Sequence, residues 1–410
     1  MGALKRFIKS NDFLFSSLKS CLLYLRYTKS LFGKDQYAFL TQYQIDSSFE
    51  IKEKGYHCWF GYYDKSPINP SGEYVVYGRA KDHSMPGQPI DICIYEIKSG
   101  KSKKIGETTT WNWQQGCMAQ WIGAQTVSFN CYNSQSKKYV TRQVSIDTPN
   151  ELKELNRAAY YYNSSFSKFL SLNFYRLDKF AKGYGYPYDV DSMEYSKDGV
   201  WEVEVGSNQE KLILSLQTII DYEAKDYRDL LHYVNHVAYT PDEQSIIFIH
   251  RWQQKGGEFK SRLLKYNLST QSLETLLDNG HVSHYCWKDD NWLLIFATNS
   301  MEQKGYMEVN IKTKETILIE GLPMEDGHPS YSNDRNLVLT DTYPSLRRYQ
   351  YLFMFDVETK QLYKIDKLWS PFRYFNDERC DLHPRWSYDN KYICADNTSS
   401  GYRGLKIFKL

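Results

Sequence analysis

From about residue 37 onward, apolar and polar residues alternate in short runs, and turn residues close the runs at near-regular intervals. The clearest unit is Asp381-Leu382-His383-Pro384-Arg385-Trp386-Ser387-Tyr388-Asp389-Asn390-Lys391, followed by Tyr392-Ile393-Cys394-Ala395-Asp396. It reads as a polar entry with a histidine, a short aromatic strand, a turn and an alternating apolar strand. Related units stand at His328-Pro329-Ser330-Tyr331-Ser332-Asn333-Asp334 and Asn235-His236-Val237-Ala238-Tyr239-Thr240-Pro241-Asp242, with a looser one at Ser283-His284-Tyr285-Cys286-Trp287-Lys288-Asp289-Asp290. The histidines are 48, 44 and 55 residues apart (236 to 284, 284 to 328, 328 to 383). Strand-bearing units at roughly 40–50 residues are the signature of propeller blades.

This pattern predicts an all-β fold, a seven-bladed β-propeller over residues 37–410. Blade one is expected from about Phe60-Gly61-Tyr62-Tyr63-Asp64 and blade two from Gln115-Gly116-Cys117. Residues 150–190 break the pattern and read as helical or irregular, with blade three resuming near Ser192-Met193-Glu194. Blades four to seven start near His236, His284, His328 and His383. Only three strands fit after His383, so a strand from the Tyr37–Lys54 segment is expected to complete the last blade and close the ring.

Residues 1–36 form a separate extension. They carry seven basic groups and two acids, so +5 of the chain's net +2, leaving −3 for the remainder. Phe7, Ile8, Phe13, Leu14, Leu18, Leu22, Leu23 and Leu25 recur at loosely helical spacing, but Lys9, Asp12 and Lys19 interrupt every apolar run. No run reaches the ~18–20 residues of a membrane span, and none resembles a secretory signal. The segment reads as a short basic amphipathic helix, either lying on an anionic membrane surface or packed on the propeller. No basic patch covers the main domain, which argues against nucleic acid. Eight scattered cysteines without a CxxC pair suit free thiols in a reducing compartment, hence a cytoplasmic location, at the inner face of the membrane if residues 1–36 lie on it.

Aromatic residues are abundant, at 16% with 36 tyrosines. Strand packing accounts for most of them, and sugar-binding surfaces use the same rings. Four histidines at matching blade positions either converge at one mouth of the channel, on a divalent transition metal such as manganese or zinc, or form structural corners. Cys117, Cys286 and Cys380 near that level read as packing. Arg251, Arg379, Arg385 and Arg403 either clamp a carboxylate or pair with neighbouring acids. His57 precedes the Cys58-Trp59-Phe60-Gly61 run. Tyr184 and Tyr186 sit in the glycine-flanked loop Gly183-Tyr184-Gly185-Tyr186, which either reaches the mouth or makes a turn.

As an ordered set, Asn235-His236-Val237 with Thr240-Pro241, Ile249-His250-Arg251-Trp252, Ser283-His284-Tyr285 with Trp287, Asp326-Gly327-His328-Pro329-Ser330, Thr340-Asp341-Thr342-Tyr343-Pro344 and Asp381-Leu382-His383-Pro384-Arg385-Trp386 resemble the oligogalacturonate-lyase and ulvan-lyase group of seven-bladed propellers. The resemblance covers roughly residues 55–410. It implies β-elimination of uronate-containing polysaccharide, an acidic polysaccharide or oligosaccharide being the partner. It implies His236 as base, His284, His328 and His383 as metal ligands, Tyr184 or Tyr186 as acid and Arg251 as the group neutralising the carboxylate. His57, Arg385 and Arg403 are the accompanying substrate-binding candidates. Those lyases are usually exported, and this chain shows no export signal. No carboxylate-binding arginine upstream of His236 is matched, Arg228 being nearest. The second reading is therefore a non-lyase glycan-binding or glycosyltransferase-associated protein in bacterial capsule or surface polysaccharide biosynthesis. A protein-interaction scaffold is the third.

Overall fold

The computed structural model describes residues 24–30, 33, 35–223, 230–254 and 257–410. These residues form seven four-stranded antiparallel sheets arranged as a propeller. The innermost strands are, in order, Tyr56–Trp59, Gln120–Trp121, Tyr161–Tyr162, His232–Tyr239, Val282–Trp287, Ser330–Tyr331 and Arg385–Trp386. Middle strands lie between neighbouring blades and are buried on both faces. They therefore read as unbroken apolar runs, such as Ile246-Ile247-Phe248-Ile249 and Leu293-Leu294-Ile295-Phe296. Outer strands face solvent and are polar, as Lys101–Thr108 shows.

Closure comes from the N-terminal side, as expected. Ser47–Ile51 pairs antiparallel with Gly404–Lys409, from Ser47 opposite Lys409 to Ile51 opposite Leu405. The last blade thus joins both ends of the propeller, and the edge of Gly404–Lys409 is covered.

At the far end of the innermost strands an aromatic residue ties its blade to the preceding one. Trp121 Nε1 donates to Pro67 O (2.8 Å), Tyr162 Oη meets Ser128 Oγ (2.9 Å) and Tyr239 Oη donates to Glu202 (2.9 Å). Tyr331 Oη donates to Glu308 (2.8 Å) and Trp386 Nε1 to Ser330 O (3.2 Å). Blade five departs from this: the indole nitrogen of Trp287 is buried without a partner among the described residues.

Two boundaries differ from the sequence reading. Blade three begins at Tyr161–Tyr162, not near Ser192, and Leu152–Asn156 is the outer strand of blade two. Strands of two and four residues are too short for alternation to show. The irregular segment is an insertion between Lys168–Ser171 and Gly199–Glu204 of blade three. It holds the helix Phe174–Phe180, capped by Asn173. Blade one starts earlier, at Tyr56. Its inner strand breaks after Trp59 and rejoins the sheet where Ile68 bridges Val75.

A short helix at 24–30 packs on the propeller. Tyr24 stacks on Phe372 at 4.3 Å, and Arg347 Nε donates to Ser30 O (2.9 Å). The rest of the expected amphipathic helix, including Lys5, Arg6, Lys9 and Lys19, lies outside the described residues. Among the described residues no helix is long and apolar enough to cross a membrane.

Candidate active site

The histidines meet because the innermost strands are irregular at their starts. Pairing in blade four shifts between Asn235 and Ala238, and in blade five between Val282 and Tyr285. His236 and His383 have positive φ, +50° and +44°. Bulges of this kind re-aim a side chain that regular pleating would bury against a neighbouring sheet. Here they turn imidazoles toward the axis. Ring centroids of His284 and His328 are 4.2 Å apart, those of His328 and His383 4.2 Å, and those of His236 and His284 5.3 Å.

Blade one supplies the remaining wall. Its excursion after Trp59 carries Tyr62 and Tyr63 to the centre. Tyr62 lies 5.2 Å from His383 and 5.5 Å from His236, ring to ring, with its hydroxyl 3.0 Å from the His236 ring nitrogens. Gly61 makes the excursion possible. Its φ is +114°, and a Cβ there would stand 2.5 Å from the Gln115 carbonyl carbon. The buried Asp396 carboxylate fixes the turn by accepting from the amides of Phe60 (3.0 Å) and Gly61 (2.9 Å).

Three carboxylates orient the cluster. Asp341, fully buried, accepts from the His328 amide (2.8 Å), from His328 Nδ1 (2.9 Å) and from the His383 amide (3.2 Å). Asp326 accepts from Ser283 Oγ (2.7 Å) and approaches His284 Nδ1 (3.4 Å). Asp381 accepts both prongs of Arg379, at 2.6 and 2.7 Å. With Nδ1 engaged on Asp341, His328 presents Nε2 to the centre. That atom and Nε2 of His383 are buried without partners among the described residues. Ligand atoms of His328, Asp381 and His383 lie within 4.8 Å of one another. Two imidazole nitrogens lacking protein partners beside a carboxylate are a donor set suited to a divalent transition metal.

Burial sets the protonation. It holds His236 and His383 well below the usual histidine value, helped for His236 by His284 and Arg251 and for His383 by His328 and Arg385. His284 is also lowered, by burial and then His328. His328 differs: burial disfavours its charged form, but Asp341 outweighs it and the pKa is raised. The Tyr62 and Tyr184 phenols are pushed up by burial and stay protonated.

The predicted residues divide. His236, His284, His328 and His383 are brought together. Tyr184 joins them, its ring 6.3 Å from Tyr62. Arg251 lies near enough to depress His236, and its Nε donates to Asn235 (3.2 Å). His284 falls outside the tight ligand group, and Asp381 takes its place. Four candidates are engaged elsewhere. Tyr186 is a core residue, stacked on Phe174 at 4.5 Å and hydrogen-bonded to Asn130 (3.0 Å). His57 is held between the Arg403 amide (3.2 Å) and Asp82 (3.1 Å). Arg385 ties Asp396 (2.6 Å) to the Tyr62 carbonyl (3.0 Å), and Arg403 is packed on Trp113 and bonded to Glu378 O. Each is buried in partners of its own. Arg228 lies outside the described residues. Cys117 and Cys380 are buried free thiols, and Cys286 is half-buried.

Sequence reasoning missed Tyr62, Tyr63, Asp326, Asp341 and the ligand position of Asp381. A usable signal existed for Tyr62: a tyrosine pair directly after a glycine, interrupting a strand. Asp341 stood in the Thr340-Asp341-Thr342-Tyr343-Pro344 motif, but nothing local tied it to His328, 13 residues away.

No family model matches the chain, and no curated protein matches it in sequence. Solved structures do. An oligogalacturonate lyase in complex with manganese superposes with a TM-score of 0.66 at 14% identity, over 90% of this chain and 96% of that one. An oligogalacturonate lyase from Vibrio parahaemolyticus gives a TM-score of 0.64 at 11% identity, with the same coverage. At these identities the likeness establishes the propeller fold.

Proposed function

We propose that this protein is a metal-assisted lyase acting on uronate-containing oligosaccharides or polysaccharides by β-elimination. The observation that carries the reading is the buried ring of four histidines. One of them, His236, is held neutral and bonded to a phenol, and two others have free Nε2 atoms beside Asp381. The similarity to manganese-bound oligogalacturonate lyase agrees with it.

In this reading neutral His236 accepts the proton at C5, alpha to the substrate carboxylate. Tyr62 orients the imidazole through its hydroxyl. Arg251 sets positive charge near the carboxylate, which favours the enolate-like state. Tyr184, protonated at the mouth, donates a proton to the departing C4 oxygen. His328, His383 and Asp381 would hold a divalent cation, manganese or zinc, which when bound supplies further charge against the carboxylate. The C4–O bond breaks as the C4=C5 double bond forms, leaving an unsaturated uronate that absorbs in the ultraviolet. The test is absorbance growth on a panel of uronate glycans, capsular ones included. His236→Ala should abolish it while leaving the circular dichroism spectrum unchanged. Absence of product from every glycan overturns the proposal.

One observation favours a second reading. Helix 24–30 docks on Phe372, in the connection that leads to Asp381 and His383. A glycan-binding protein of capsule or surface polysaccharide assembly, cytoplasmic and peripheral to an anionic membrane, would use such an arrangement. It requires salt-sensitive binding to anionic vesicles that is lost when residues 1–23 are removed.

A further inference from the structure

The channel has a second half, and its lining differs from the first. Beneath His236 lies a cavity of about 160 Å³, and at the opposite mouth a larger one of about 440 Å³. Asp64, Tyr161 and Trp287 line both. The larger volume falls within the ~300–1,000 Å³ typical of small-molecule sites. Its walls combine flat rings, among them Trp121, Trp287, Trp386 and Tyr388, with uncharged polar groups such as Gln120 and the Tyr161 hydroxyl.

Its charges are already used. Asp64 is 2.7 Å from Lys65, and Glu243 accepts from the Ser164 amide (2.8 Å) and Asn163 (3.0 Å). Among the described residues no arginine lines this cavity, whereas Arg251 and Arg379 stand near His236 and His383. A uronate would find no free cation here. Rings with neutral donors and acceptors between them instead suit an uncharged pyranose, whose C–H face packs on an aromatic plane while its hydroxyls bond at the edges.

Trp287 sharpens the case. At the corresponding place in five other blades an aromatic residue is hydrogen-bonded to the preceding blade, whereas the Trp287 nitrogen lacks a partner. The ring that borders both cavities is thus one that the repeat does not anchor. Tyr388, half exposed at the rim, is the second ring free to meet a ligand.

We propose that the mouth opposite the histidines is a separate binding site for a neutral sugar, with Trp287 at its floor and Tyr388 at its rim. The site does not depend on the chemistry assigned to the histidines. The experiment uses the full chain, titrated by calorimetry and tryptophan fluorescence with glucose, galactose, N-acetylglucosamine and their disaccharides, with galacturonate as the acidic comparison. At least one neutral sugar should bind saturably. Trp287→Ala and, separately, the surface change Tyr388→Ala should each weaken it about tenfold or more, the equivalent of ~1.4 kcal/mol. His328→Ala should leave that affinity within about twofold, and Tyr388→Ala should leave metal binding unchanged. Failure of every neutral sugar to bind overturns the proposal. So does binding that survives Tyr388→Ala but disappears with His328→Ala, since the sugar would then occupy the histidine site.

Discussion

Replacing Asp341 by asparagine tests the architecture of the histidine cluster most directly. The Asp341 carboxylate is fully buried and receives three donors: the amides of His328 and His383 and Nδ1 of His328. Asparagine offers one acceptor oxygen and turns an NH₂ group toward a donor. A hydrogen bond to a buried charge contributes about 1.5–3 kcal/mol. Losing at least one, with the left-handed backbone of His383 (φ +44°) less firmly held, should destabilise the fold by roughly 2–4 kcal/mol. The effect on metal is separable. A carboxylate that orients a ligating imidazole is worth about 10–100-fold in affinity. Calorimetric titration with Mn²⁺ or Zn²⁺ should therefore show Asp341→Asn weaker by about 1.4–2.7 kcal/mol. There is also a pH signature. Asp341 raises the pKa of His328, so in the wild type a proton competes with metal as pH falls through that raised value. In the variant this limb should move to lower pH. Unchanged affinity and an unchanged acid limb in a folded variant would refute the idea that Asp341 presents Nε2 of His328 to a metal.

Three other outcomes follow from the same structure. Burial and the Arg403 charge lower His57 from 6.5 to about 4, so between those values the unfolded chain binds a proton that the folded one does not. Its contribution is complete above pH 6.5 and lost as pH falls toward 4, on the order of 3 kcal/mol, and denaturant midpoints across that window should show the loss. His57→Gln should flatten the slope. Gly61→Ala forces a Cβ against the backbone at Gln115 and Gly116 at positive φ. We expect a cost of about 1–3 kcal/mol and, because Tyr62 shifts from His236, a fall in kcat/KM larger than the stability loss explains. Truncation to residue 46 should already lower the Tm, because Tyr37 packs on Tyr351 and Phe353, Asp35 pairs with Lys367 and the Tyr43 amide donates to Lys364 O. Truncation through Ile51 removes the closing strand, exposes the edge at Gly404–Lys409 and should give aggregation or a sharply lower Tm.

The recurring histidine, aromatic, turn and strand pattern is local, and each of its parts has a short-range cause. Alternation or an unbroken apolar run marks a strand, and Asn, Asp and Ser close turns through their own side chains, as Asp389 and Asp242 do here. Repetition therefore foretold the propeller, its count of seven and the need for an N-terminal closing strand. It also placed His236, His284, His328 and His383 at one level. Blade three escaped because Tyr161–Tyr162 is too short to carry a period, and an insertion divides the sheet that follows it.

Which side chains complete the centre was decided only in three dimensions. Arg385 and Arg403 had the chemistry to clamp a carboxylate, but Arg385 is tied to Asp396 and to the Tyr62 carbonyl of the neighbouring blade, and Arg403 to the Glu378 carbonyl and the face of Trp113. Tyr186 and Tyr184 are two residues apart, yet one stacks in the core on Phe174 and the other stands beside Tyr62. Asp341 meets His383 across 42 residues, and Tyr62 meets His236 across 174. A sequence records which groups are available and how each segment alternates. Ring closure brings seven distant segments onto one axis, and the burial it creates keeps His236 neutral and leaves two imidazole nitrogens free.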